Sequence, residues 1–228
     1  VDWHEVVIEV SDWSAAVDFL LSCSRAAINL HLCTLLEKEI VKNMPNSIIK
    51  SNNKHKVLFL VSPDGVDTIQ RISNSIDSNF IHLGPENTKN GSGLRELSWN
   101  HTTLHFRSIS PDWTYLQMLL PQPEIGFMER LKNKWGSELL WHIEVVRQQG
   151  SQRLAALPLV QWKSKERLNE LMEDCKKNNA ILFNPHTVTV EDGGLGVIDA
   201  DQVEKKKKYD PDGILNPGKL RGWENTKT

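Results

Sequence analysis

The sequence is poor in cysteine. Cys23, Cys33 and Cys175 are its only three, an odd number without metal-ligand spacing. That excludes a disulfide scaffold and points to reduced, buried thiols in a reducing compartment. An excess of charge of either sign is lacking too: 27 basic against 29 acidic side chains leave a net charge of −2. Such a balance excludes a broad polyanion-binding surface, so nucleic acid is not an expected partner. The lysine run 205–208 reads as a solvated helix end. No run approaches the ~20 apolar residues of a membrane helix, so no membrane span is expected, and no secretory or transit segment stands out. The chain opens on Val1 rather than Met, as a fragment of a longer chain would. Dinucleotide and phosphate loops, C-x-x-C, H-E-x-x-H and G-x-S-x-G are all missing, which removes the common motif-based assignments.

What is present is enough for a sizeable core: 228 residues, 39% of them hydrophobic, make one large domain or two small ones. Seven of the eight tryptophans fall within residues 3–162, as anchors of a core or its rim.

Periodicity predicts the elements. Residues 3–10 read as a strand, and Ser11 or Asp12 caps a helix over 13–27. Leu32, Leu35, Leu36 and Ile40 recur at helical spacing, which predicts a second helix over 30–44, followed by a polar loop over 46–56. A buried strand (56–62), a helix (66–77), a strand (79–84) and a loop (85–93) complete the first half. The second half is similar, with a strand over 112–121, a helix over 124–136 closed by Gly136, and two strands over 138–162 joined near Gly150. A helix over 164–180 capped by Ser164 and a strand over 181–194 end it. Helices on antiparallel strands in two related halves predict an α+β, ferredoxin-like sheet with helices packed on one face.

The densest polar cluster is "NPHTVTVEDGG", where His186, Glu191 and Asp192 stand close together. On an extended strand Thr187, Thr189 and Glu191 share one face and His186 takes the other. Such a cluster lines a polar pocket, or else leaves His186 a satisfied rim histidine. Gly193 and Gly194 begin the one glycine-rich turn; it either ends a strand or lets backbone amides approach an anion or a flat ring. His101 lies in a polar stretch with Arg95 and His105. His142 and Glu144 share a strand face opposite Trp141 and Ile143, which is either a pocket wall or an exposed sheet face.

The end of the chain, "KYDPDGILNPGKL" (208–220), packs two turns around Ile214 and Leu215. It resembles the C-terminal signature of FAD-linked oxidases of the vanillyl-alcohol-oxidase superfamily, the glycolate/D-lactate dehydrogenase type. The stretch "LSWNHTTLHF" is similar to plant and cyanobacterial members. The resemblance implies that residues 1–204 are the cap, or substrate, domain and 205–228 a segment packing against a flavin-binding domain that precedes this chain. It implies FAD held mainly by that missing half, a small-molecule substrate of hydroxy-acid or alcohol type, and a plastid or mitochondrial location. His101, His142, His186, Glu191 and Asp192 become candidate catalytic residues, and Asn216, Gly193 and Gly194 candidates for the cofactor side. The family's metal-binding histidines fall on Gln148 and Ala155 and its catalytic histidine on Asp192, so no metal is expected. A non-catalytic flavin-fold descendant and a free-standing small-molecule-binding domain are the rival expectations. The tail is expected to lie exposed on this chain, because two apolar side chains do not repay the ordering of so many residues.

Overall fold

The structure, a computed structural model, describes residues 2–45, 47–50, 52–87, 93–148, 150–193 and 200–224. The first half contains β1 (His4–Val10), α1 (Trp13–Arg25), β2 (Leu30–Leu36), α2 (Lys38–Val41), β3 (His55–Val61), α3 (Val66–Ser73) and β4 (Ser78–Pro85). The second begins with α4 (His101–Ile109) and runs through β5 (Trp113–Tyr115), β6 (Gln117–Leu119), α5 (Glu124–Trp135), β7 (Leu139–Leu140), β8 (His142–Gln148) and β9 (Ser151–Ala156). It continues with β10 (Leu159–Gln161), α6 (Lys165–Lys177) and β11 (Ile181–Phe183), and closes with α7 (Ala200–Tyr209) and α8 (Arg221–Glu224).

Eight strands form one antiparallel sheet in the order β11-β6-β9-β8-β2-β3-β1-β4. Its halves have the same plan. In β2-β3-β1-β4, the second, third, first and fourth strands of a βαββαβ unit stand side by side; β8-β9-β6-β11 repeats that order. The expected ferredoxin-like layer in two related halves is therefore what forms. The units meet where β2 pairs with β8: Thr34 faces Glu144, Leu35 faces Ile143 and Leu36 faces His142. An approximate two-fold axis passes through the Leu35–Ile143 pair. A three-stranded sheet, β5-β10-β7, is an addition to the second unit.

The long helices form where the sequence places apolar stripes between caps. Asp12 accepts from Ala15 N at 2.7 Å at the start of α1, and Ser164 accepts from Arg167 N at 3.1 Å at the start of α6. Each cap contributes about 1 kcal/mol. Helix α1 buries Ala16, Val17, Phe19, Leu20 and Cys23 against Val6, Ile8, Leu35 and Phe59 of the sheet. Helices α5 and α6 do the same for the second unit through Phe127, Leu131, Leu168 and Leu171. Fully burying one such large side chain is worth roughly 1.5–3 kcal/mol, so loss of a stripe would unfold its unit. Burial pushes the Cys23 and Cys175 thiols up to about 12. All three cysteines are free and buried, as the sequence implied.

Four expectations need correction. The stretch 138–162 holds not two strands but four: β8 and β9 form the hairpin near Gly150, while β7 and β10 belong to the small sheet. Residues 30–44 are not one helix: they form β2 and the short α2. β2 lies in mid-sheet, with Leu35 packed on one face and Leu36 on the other, so its leucines mimic a helical stripe. The 112–121 strand is broken at Leu116 into β5, in the small sheet, and β6, in the large one. The 181–194 strand ends at Phe183, and only a short 3-10 turn, Val190–Asp192, follows. The long helices α1, α3, α5 and α6 share one face, as expected. The opposite face of the first unit is also covered, by α2, α4 and the turn Leu94–Leu97, through Ile40, Val41, Leu94, Leu97 and Phe106. The predicted 85–93 loop lies partly outside the described residues.

Candidate functional site

The alternation of β8 sends Ile143 toward the helices and His142 and Glu144 to the other face. That face is not exposed here: His142 is 0% exposed and Glu144 5%. The Leu94–Leu97 turn and the start of α4 cover it. Glu5 accepts from Leu94 N at 2.7 Å and ties this cover to β1. Glu144 then takes three donors. Its Oε2 accepts from Thr34 Oγ1 at 2.7 Å; its Oε1 accepts from Trp99 N at 2.9 Å and lies 2.7 Å from His142 Nε2. Thr34 Oγ1 also lies 3.1 Å from Ser98 Oγ. His142 Nδ1 is buried without a hydrogen-bond partner.

Trp99 is the outcome of this network. Its φ is 51°, a left-handed conformation that costs a bulky residue on the order of 1–3 kcal/mol. A charge-assisted bond from its N–H to a buried carboxylate offsets that cost. The indole is left 44% exposed. The arrangement can present a flat aromatic face from a fixed backbone.

The other candidates lie elsewhere. His101 opens α4, with Nδ1 3.1 Å from Arg95 O and 3.6 Å from a Glu96 carboxylate oxygen. His186 Nε2 sits 2.8 Å from Tyr115 O and 3.2 Å from Thr114 Oγ1, at the small sheet. Glu191 and Asp192 face the C-terminal segment. Glu191 accepts from Gly222 N at 2.8 Å, which holds its carboxyl below the usual range; the Arg221 guanidinium does the same to Asp192. Val190 N donates to Lys219 O at 2.9 Å. Gly193 is extended, and Gly194 lies outside the described residues.

The tail itself is a built clip. The Asp210 carboxylate accepts from Ile214 N at 2.9 Å and from Leu215 N at 3.0 Å, and Lys206 pairs with it. Gly213, Asn216 and Gly218 have φ of 67°, 47° and 73°, the conformations that the Pro-Gly turns anticipated. Ile214 and Leu215 are 73% and 64% exposed, as expected. Leu215 borders a hollow of about 730 Å³ lined also by Val190, Tyr209 and Leu220. Trp223, which the sequence did not single out, is buried.

Among the described residues no three His, Cys, Asp or Glu side chains converge as a metal site. Sequence reasoning missed Thr34, Ser98 and Trp99. Thr34 and Trp99 reach Glu144 across 110 and 45 residues of chain, Ser98 reaches Thr34 across 64, and no local pattern marks them.

No family model matches the sequence, and no curated protein matches it. Solved structures match the fold. An alkyldihydroxyacetonephosphate synthase superposes with a TM-score of 0.59 at 13% identity, over 95% of this chain and 44% of that one. A 4-ethylphenol oxidase from Gulosibacter chungangensis, in complex with isoeugenol, superposes with a TM-score of 0.59 at 13% identity, over 96% of this chain and 53% of that one. The chain thus shares its fold with these two structures across almost its whole length, and it spans about half the length of each.

Proposed function

We propose that this chain is the substrate side of an FAD-dependent oxidoreductase acting on a small alcohol or hydroxy-acid-like substrate. Residues 1–204 are its cap, and residues 205–228 dock on a flavin-binding domain; a plastid or mitochondrial location accompanies that reading. The carrying observation is the C-terminal clip. Its backbone is pinned by Asp210 and its turns are preset, yet Tyr209, Ile214 and Leu215 are 72%, 73% and 64% exposed. Burying Ile214 and Leu215 under a partner domain would contribute roughly 3–6 kcal/mol. A rigid apolar clip beside an apolar hollow suits that partner, and the half-length match with the oxidase structures leaves room for it.

The clip does not suit a diphosphate. Gly218 N already donates to Glu224 at 3.2 Å, and Ile214 N and Leu215 N to Asp210. The residues present fit a flat, largely apolar group or a domain surface, so FAD would be held mainly by the other half. When bound, the flavin supplies the two-electron acceptor for substrate oxidation. This chain supplies Trp99, held by Glu144 and His142, as a fixed aromatic wall. His101 and His186 are the candidate bases with ring atoms near solvent-exposed surface. The second reading, a non-catalytic descendant, is favoured by one observation: Glu191 and Asp192 are engaged by the tail.

The test is the visible absorption spectrum of the full-length gene product, followed by anaerobic addition of small alcohols and 2-hydroxy acids. Flavin bands that bleach with one of these support the enzyme. Flavin that no member of the panel reduces supports the second reading, and a flavin-free full-length protein overturns the first.

A further inference from the structure

The β2–β8 seam has two ends related by the approximate two-fold axis. At one end the chain itself fills the space below the helices. Glu37 N donates to Trp141 O at 3.0 Å, and the Glu37 carboxylate accepts from Trp141 N at 2.7 Å and from Lys132 Nζ at 2.5 Å. The Trp141 indole, 2% exposed, packs on Phe127.

At the other end the axis places Val145 where Glu37 stood and Cys33 where Trp141 stood. The register stops at Thr34–Glu144. In an antiparallel ladder alternate residues aim N–H and C=O at the same neighbour. Glu37 bonds toward β8, so Cys33 N–H also points that way. Opposite it is Val145, whose side chain has no acceptor. A thiol also replaces an indole, and the space stays open as a cleft of about 530 Å³ lined by both residues. Its apolar walls come from Trp3, Ile28 and Leu30, its polar ones from Ser24, Asn29, His31 and Gln152, and no acidic residue among those described lines it. Arg147 is exposed at its rim and forms no ion pair with a described residue. The open end thus keeps the backbone donor and has a cation at its rim, between apolar and polar walls, and it lacks the carboxylate that Glu37 supplies at the filled end.

We infer that this cleft binds a small monocarboxylic acid with an apolar side chain. The carboxylate accepts from Cys33 N–H and pairs with Arg147, and the apolar part lies between Trp3, Leu30 and Val145. Cys33 and Val145 belong to the helix-side core and Trp3 packs with the core of the opposite face, so the cleft spans the open end of the seam. The inference goes beyond the flavin reading and does not depend on it.

The test titrates the 228-residue protein with 4-methylpentanoate, and in parallel with 4-methylpentan-1-ol and 4-methylpentan-1-amine, following backbone amides by NMR. The acid is expected to saturate and to move the Cys33 amide most, while the alcohol and amine do not saturate. Arg147→Gln, a rim change that spares the core, should weaken binding about tenfold or more, as expected for loss of a charged hydrogen-bond partner. Val145→Glu should abolish binding by placing a tethered carboxylate where Glu37 has one. Failure of the acid to saturate, equal affinity for the alcohol, or an unchanged affinity in Arg147→Gln overturns the inference.

Discussion

The two ends of the β2–β8 seam share strands, register and neighbouring helix ends, yet one is full and the other open. The difference lies in side-chain volume and charge at two equivalent pairs of positions. Trp141 and Glu37 occupy the first; Cys33 and Val145 occupy the second. An indole fills what a thiol leaves empty, and a carboxylate satisfies the donor and cation that valine cannot. A repeated backbone plan therefore does not repeat a site.

That contrast can be broken from the filled end. Trp141→Ala should have the largest effect, destabilising by about 3–5 kcal/mol in urea or guanidinium unfolding, because it empties a close-packed position. If it costs no more than Cys33→Ala, the two ends are not different in the way described. Acid should act next. His55, next to the filled end, accepts from Lys38 N at 3.1 Å, and burial pushes its imidazole down to about 4. The folded state then holds His55 neutral where the unfolded chain, titrating near 6.5, would charge it. Its stabilising share is complete above pH 6.5 and is lost as the pH falls toward 4, up to about 3 kcal/mol. Unfolding free energies measured between pH 7 and 4 should show that slope, and His55→Gln should flatten it.

Glu37→Ala should cost about 1–3 kcal/mol, since Trp141 N–H is left buried without its acceptor. Its counterpart Val145→Ala should cost less, and equal losses in thermal unfolding would erase the distinction between the ends. The smallest effect belongs to Arg147→Gln. An exposed side chain with no ion pair among the described residues should leave stability within about 0.5 kcal/mol, so its predicted loss of carboxylate binding would be separable from folding.

Local signals made much of the fold legible. Asp12 and Ser164 mark helix starts because a side-chain oxygen needs only the next turn's N–H. The tail turns follow from Pro and Gly within a few residues. The failures have equally specific causes. β2 is buried on both faces, which removes strand alternation and leaves Leu32, Leu35, Leu36 and Ile40 at helical spacing. Thr187, Val188, Thr189 and Val190 have strand-like side chains, but β11 has only β6 to pair with, and that ladder ends at Phe183. The candidate site residues were legible as types and not as a constellation: His142 lies in the seam, His186 beside the small sheet, and Glu191 and Asp192 against the tail.

The sequence by itself determined the amphipathic helices, their caps, the reduced thiols and the preset turns of the C-terminal clip. Each depends on residues within about one helical turn or one β-turn of each other, where backbone geometry allows few answers. Only the tertiary structure decided that β2 pairs with β8, that Glu144 is buried under Trp99, and that a cleft remains beside Cys33. Those outcomes join residues more than 40 positions apart in the chain. What fills or empties a space there is set by the packing of the whole sheet against its helices.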